Sequence, residues 1–206
     1  MVDTLPLFEA ALTIRERLAK SDPQNAQWQS DLSVSYIMIG DVQVAQGDLK
    51  AALLSYRDSR DIAERLVKSD SRNAGWQFNL GISNERIGDI QLAQGDLVAA
   101  LSSYKARHEI ISRLAKSDPQ NAQWQSDLSE SYGKLATIYA KSGDKTKAHD
   151  ALTAGRAIIL SLLKDHPDWV ARKNDLVWFD GQLASLDKIG MAAEPENKPI
   201  NRKKRR

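Results

Sequence analysis

A 48-residue repeat constrains this chain more than any other feature of its sequence. The segment Arg17 to Ser33, RLAKSDPQNAQWQSDLS, returns letter for letter at Arg113 to Ser129. Between these two copies, Arg65 to Gly81 reads RLVKSDSRNAGWQFNLG, and the series continues with LLKDHPDWVARKNDL at Leu162 to Leu176. A fixed period of this length is typical of stacked supersecondary units, so we expect a repeat array in place of one or two ordinary globular domains.

Composition narrows the functional classes. The 42% hydrophobic and 27% charged fractions suit a folded protein, and no apolar run is long enough to predict a membrane-spanning helix. The chain has no cysteine, which excludes disulfides, thiolate metal sites and cysteine nucleophiles. The N-terminus carries Asp3 and Glu9 and no basic start before an apolar core, so we expect no secretory signal and a cytoplasmic protein.

Each period contains two amphipathic helical patterns. In the first, helix A, apolar residues recur with the spacing of one helical face at Trp28, Leu32, Ile39 and Val42, and again one and two periods later. Asp22-Pro23 and Asp118-Pro119 predict its N-terminus, with aspartate as the cap. Gly47-Asp48 and its equivalents predict the end of helix A, a very short turn and an antiparallel helix B.

The phase of the pattern predicts eight helices, near residues 2–20, 23–46, 49–68, 71–94, 97–116, 119–142, 145–164 and 168–188. Residues 1–190 then form one helical repeat domain. It comprises a half-repeat at 1–20, full repeats at 21–68, 69–116 and 117–164, and a closing helix at 167–188. Residues 191–206 have no apolar period and an excess of basic residues, so we expect a disordered C-terminal tail.

Small residues recur where the two helices of a hairpin would approach most closely, at Gly40 and Gly88 in helix A and at Ala52, Ala100 and Ala148 in helix B. Together with Gly47 and Tyr56, this pattern resembles the tetratricopeptide repeat, in a long-helix variety with extra residues at the start of helix A and the end of helix B. The resemblance implies an all-α, right-handed solenoid of antiparallel hairpins whose A helices line a concave groove.

The sequence contains few residues in patterns typical of catalytic or metal-binding sites. The three histidines, His108, His149 and His166, are not at metal-ligand spacing, and we interpret all three as solvated side chains. No phosphate-binding glycine loop is present, because Gly47 and its equivalents are single turn residues. The sequence therefore favours a non-enzymatic protein with no cofactor and no metal.

A second stripe on the A helices, opposite the inner tryptophans, predicts a partner-binding groove. The resemblance to the tetratricopeptide repeat implies that this stripe faces the concave groove. Its residues are mostly apolar, with acidic residues among them. Its candidate residues are Val34, Ile37, Asp41, Val44, Phe78, Ile82, Glu85, Asp89, Leu92, Glu130, Thr137 and Trp178. The carboxylate clamp of chaperone-binding tetratricopeptide domains has Lys, Arg and Asn here, so a C-terminal carboxylate ligand is disfavoured. We expect a peptide or helical segment with apolar anchors and basic residues.

The predicted function is a protein-interaction scaffold that binds another protein in this groove. One alternative is attachment to a polyanion, such as nucleic acid or an anionic surface, through the basic tail at Arg202, Lys203, Lys204, Arg205 and Arg206. A short solvated terminus is the commoner meaning of such a run, and nucleic acid is the less favoured partner. Another alternative is a structural homo-oligomer assembled through the N-terminal half-repeat, where Leu5 and Phe8 would lack cover.

Overall fold

The computed structural model describes residues 5–191, which form eight α-helices and no β-strand. The helices are α1 (Leu5–Ser21), α2 (Ala26–Ala45), α3 (Leu49–Ser69), α4 (Ala74–Ala93), α5 (Leu97–Ser117), α6 (Ala122–Lys141), α7 (Lys145–Asp165) and α8 (Val170–Met191). Helices α2, α4, α6 and α8 correspond to helix A of the repeat, and α1, α3, α5 and α7 to helix B. The predicted all-α solenoid of antiparallel hairpins is confirmed.

Contacts in this fold are almost all between helices that follow one another in the chain. Each helix from α1 to α7 packs against the next, α2 also touches α4 across the intervening α3, and Trp178 of α8 lies against Gly133 of α6. The hydrophobic core is accordingly divided into local clusters along the array. This pattern is the one expected of a solenoid, in which each repeat is stabilised by its neighbours.

The turns within the three hairpins are formed as predicted. Gly47, Gly95 and Gly143 have φ angles of 83°, 80° and 83°, in the left-handed region that glycine adopts without steric cost. The next residue caps helix B, since the Asp48 carboxylate accepts a hydrogen bond of 2.9 Å from the Ala51 amide. Two residues therefore end one helix and start the next, which keeps the hairpin antiparallel.

The predicted start of helix A is wrong by three residues. Asn25, Asn73 and Asn121 are the N-caps, and the Asn25 side chain accepts from the Trp28 amide at 3.1 Å. Asp22 instead accepts a hydrogen bond from the Gln24 amide in the turn after α1. The aspartate that precedes proline therefore shapes the interhelical turn, and the asparagine that follows satisfies the free amides of the helix.

Small residues allow the close approach that the sequence predicts. Ala52, Ala100 and Ala148 are fully buried. The Tyr56 ring covers Gly40 so closely that a Cβ added to the glycine would clash with the ring. The tryptophans of the A helices, Trp28, Trp76 and Trp124, are half-buried at the edges of core clusters, as expected for packing residues.

The two ends of the described chain differ from its middle. Phe8 on α1 is half-buried, whereas Leu7 and Ile14 are exposed. The Leu5 side chain and the expected disordered tail after Met191 lie outside the described residues. Among residues 5–191, none of the helices has an apolar stretch sufficient to cross a bilayer.

Candidate functional site

The predicted groove residues lie on the surface along which α2, α4, α6 and α8 neighbour one another, here called the A-helix face. Its members differ in accessibility. The exposed ones are Val34, Asp41, Val44, Glu130 and Trp178. The half-buried ones are Phe78, Ile82, Asp89, Leu92 and Thr137. Ile37 and Glu85 are buried, so little of either side chain can reach a ligand.

Packing explains why part of the apolar channel is covered. Ile37 belongs to a core cluster with Tyr56 and Ile87, and Ile82 packs against that cluster. Phe78 packs beside Ile110 and Ile111 of α5. Neighbouring helices thus bury Ile37 and partly cover Phe78 and Ile82, so the stripe does not form a continuous apolar channel there.

The acids on the A-helix face are held by cations that the sequence analysis did not include. The Arg86 guanidinium lies 2.9 Å from the Asp41 carboxylate, and the Lys134 ammonium lies 2.6 Å from that of Asp89. Both pairs join adjacent A helices and are one 48-residue period apart. The signal was present in the sequence, because Arg86 and Lys134 occupy equivalent positions beside the predicted stripe.

Tyrosines from the B helices complete this arrangement. The Tyr56 hydroxyl donates to Asp41 at 2.7 Å, and the Tyr104 hydroxyl donates to Asp89 at 2.6 Å. Burial raises the pKa of both phenols, and the hydrogen bonds to carboxylates raise it further. Each of these two carboxylates therefore has a tyrosine hydroxyl and a cation beside it. Asp41 and Asp89 thus stabilise the packing of the helices and are less available to bind a ligand.

A buried charged cluster lies deeper, between α4, α5 and α6. Arg107 is only 4% exposed and pairs with Glu85, and its guanidinium lies 3.9 Å from the Asp127 carboxylate. Burial raises the pKa of Glu85 and Asp127, and Arg107 opposes that shift. Arg107 replaces Ser59 and Gly155 of the other repeats, so this cluster departs from the repeat and spacing alone could not predict it.

A cavity of about 390 Å³ lies on the A-helix face between α6 and α8. Gly133 stands where the earlier repeats have Ile37 and Glu85, and the Trp178 ring lies against it, 3.2 Å from where a Cβ would be. The lining residues are Ser126, Ser129, Glu130, Gly133, Lys134, Thr137, Arg172, Asp175, Trp178 and Phe179. The sequence analysis named three of them, Glu130, Thr137 and Trp178.

Most polar groups of this cavity already have partners. Arg172 donates to Ser126 and lies 2.8 Å from the Asp175 carboxylate, while Ser129 donates to the Gly155 carbonyl. Among the residues described, no hydrogen bond or ion pair holds Glu130. An exposed carboxylate beside an indole wall suits a cationic or amphipathic side chain, through charge and cation–π attraction.

The histidines do not form a reactive centre in the described part of the chain. His149 and His166 are exposed, as predicted, but the interpretation of His108 as solvated is wrong. His108 is half-buried, lies 2.9 Å from the Ser131 hydroxyl and contacts the Tyr132 ring edge-on. Burial lowers its pKa. Over residues 5–191, no group of three or more His, Asp or Glu side chains could hold a metal ion.

The basic run from Arg202 to Arg206 lies outside the described residues, and its assignment to polyanions stays a prediction.

No family model matches the chain. A comparison with curated proteins also gave no match.

Several solved structures are similar over most of their length. BtubC (BKLC) from P. vanneervenii is 14% identical with a TM-score of 0.42, covering 98% of this chain and 95% of that one. MamA is 15% identical with a TM-score of 0.41, covering 90% and 91%. The de novo designed helical repeat protein DHR64 is 13% identical with a TM-score of 0.38, covering 92% and 97%.

Proposed function

We propose that this chain is a non-enzymatic scaffold that binds a segment of another protein on its A-helix face. The observation that carries the proposal is the cavity between α6 and α8, where Trp178 is 41% exposed and Glu130 has no partner among the described residues. A large aromatic side chain that remains accessible in a concave site is a typical anchor for a protein partner. The resemblance of Gly40, Gly47, Ala52 and Tyr56 to the tetratricopeptide pattern supports the same use.

The ligand that fits is an extended or helical segment with an apolar anchor next to a basic side chain. The apolar group would pack on Trp178, and the cation would lie near Glu130. The repeated ion pairs of Asp41 and Asp89 leave those acids less available, so the specificity for basic residues would come mainly from the α6–α8 end. Burying a few apolar side chains contributes about 1.5 to 3 kcal/mol each, and the costs of association leave roughly micromolar affinity.

Selection from a random peptide display library tests the proposal, because it requires no identified partner. We expect selected peptides to combine basic and apolar residues, and Trp178→Ala to weaken their binding about tenfold or more, the effect of an interface anchor. Glu130→Gln should weaken only the basic peptides. The control is Val98→Ala, at a position on α5 that is 83% exposed and away from the A-helix face. Equal affinity for the intact chain and the Trp178→Ala variant would reject this site.

A further inference from the structure

The two end helices carry exposed apolar side chains at positions that the internal helices bury. On α1, Leu7 is 70% exposed and Ile14 is 52% exposed. On α8, Val170 is 66% exposed and Val177 is 71% exposed. No described helix precedes α1 or follows α8, so nothing in the described chain covers these side chains. Contiguous exposed apolar groups mark interaction surfaces.

Two of these positions have buried equivalents inside the array. The equivalents of Ile14 are Ile62 and Ile110, which are 6% and 5% exposed, and Ile158, which is half-buried. The equivalents of Val177 include Ser33 and Ser129, which are 0% and 1% exposed. These internal positions are covered by the other helix of their own hairpin, which α1 and α8 lack.

The internal hairpins show which contacts are missing at the ends. Within the α4–α5 hairpin, Ile110 packs in one cluster with Ala74, and a Cβ on Gly81 would lie 3.7 Å from Ile110. The Tyr104 ring covers Gly88 in the same hairpin. These contacts join the start, the middle and the end of helix A to helix B.

The repeat register assigns the corresponding residues of the end helices. Val170, Val177 and Ala184 on α8 take the positions of Ala74, Gly81 and Gly88. Phe8 and Ile14 on α1 take the positions of Tyr104 and Ile110. An α8–α1 pair in this register would bring Ile14 against Val170 and Val177. The two exposed surfaces are therefore both apolar, and they belong to the two kinds of helix, A and B, that pair within one hairpin.

We propose that copies of this chain associate end to end, with α8 of one copy packing against α1 of the next as the two helices of one hairpin. The contact is heterologous, since it joins different surfaces of the two copies and leaves one α1 and one α8 free at the ends of a dimer. A second copy of the chain thus covers the exposed surface of α1 or α8, and longer assemblies form by the same contact. The inference does not depend on the proposed function, because it concerns the surfaces of Leu7, Ile14, Val170 and Val177 and not the cavity at Trp178.

Two complementary variants of the full 206-residue chain test the proposal by sedimentation velocity. Ile14→Asp places a charge on the α1 surface, and Val177→Asp places one on the α8 surface, both at exposed positions where the monomer fold should persist. We expect the unmodified chain to self-associate in a concentration-dependent way and each variant alone to associate at least about tenfold more weakly. An equimolar mixture of the two should form a dimer and stop there, because each variant keeps one intact end.

The control is Val98→Asp, an exposed apolar position on α5 that lies at neither end and should leave association unchanged. Circular dichroism of each variant verifies that the helices are formed. A monomeric unmodified chain at high micromolar concentration would overturn the proposal. Undiminished association of Val177→Asp alone would also overturn it, because that result would indicate a contact between two α1 surfaces.

Discussion

At the scale of single residues, the packing within each hairpin depends on a small residue opposite a large one. Gly88 lies under the Tyr104 ring, and a Cβ added to it would come within 2.8 Å of the ring carbons. The third hairpin has Ala136 and Leu152 at these positions, both buried in one cluster. The glycine is therefore required by the tyrosine, and alanine is tolerated where the partner is leucine.

This pairing predicts that the same substitution has opposite effects at two helical glycines. Gly88→Ala should lower the free energy of unfolding by about 1 to 3 kcal/mol, the usual cost of overpacking a core. Gly181→Ala, on α8 where a Cβ meets nothing within 4 Å, should raise it by about 0.5 to 1 kcal/mol through helix propensity. Urea unfolding measures both changes.

The double variant Gly88→Ala/Tyr104→Leu, which copies the third hairpin, separates overpacking from other causes. It should be more stable than the sum of the two single changes predicts, since the residues are in direct contact. Additive losses would contradict the role assigned to the pair.

The small residues could be predicted from the sequence because they recur with the repeat, but the charged cluster could not. Arg107 occupies a position that is serine or glycine in the other repeats, and its partners Glu85 and Asp127 lie on two different helices. A residue that breaks the repeat carries no periodic signal. Its partners depend on how three helices pack, which only the tertiary structure specifies.

At the scale of the helix, the boundaries show where two local signals compete. The Asp-Pro pair and the asparagine three residues later are both good N-terminal signals, and proline's preference for the first turn favours the Asp-Pro pair. The asparagine is common to Asn25, Asn73 and Asn121, whereas the second repeat has Ser71 in place of the proline. The sequence therefore contained the correct signal beside a competing one, because Asp22, Asp70 and Asp118 are also common to the three repeats.

The capping assignment gives a direct prediction for α4. Asn73→Ala should lower the free energy of unfolding by about 1 kcal/mol, because the Asn73 side chain accepts the Trp76 amide at 3.1 Å. Asp70→Ala should cost less, since the Asp70 carboxylate accepts from the exposed Arg72 amide in the preceding turn and does not cap the N-terminus of α4. The comparison is made by urea unfolding of the two variants side by side. A larger loss of unfolding free energy for Asp70→Ala than for Asn73→Ala would mean that the aspartate is the N-cap.

At the scale of the whole molecule, the repeat determined the fold more completely than it determined the site. Eight helices over residues 5–191, their order and their glycine turns follow from one period, because every hairpin repeats the same local contacts. The cavity at Trp178 arises where the repeat fails, with Gly133 in place of Ile37 and Glu85. The sequence indicated Trp178 as unusual, but the volume around it results from the packing of α8 on α6.

A linear array also predicts how stability is distributed along the chain. Helix α1 packs mainly against α2, and α8 packs against α7 with side-chain contacts to α6, whereas α4 contacts α2, α3 and α5. In a solenoid whose stability is a sum of neighbour contacts, the ends open more readily than the middle. Amide hydrogen exchange followed by mass spectrometry should therefore be fastest in α1 and α8 and slowest in α4 and α5 at low protein concentration.

End-to-end association changes this gradient in a way that identifies the surfaces involved. Because binding stabilises the bound form by mass action, raising the protein concentration should slow exchange in α1 and α8 together and leave α4 and α5 unchanged. The Val177→Asp chain, measured at the same concentrations, should show no such dependence in either end helix. Slower exchange in α1 without any change in α8 would mean that two α1 surfaces meet each other, and would contradict the α8–α1 contact even if the chain proved dimeric.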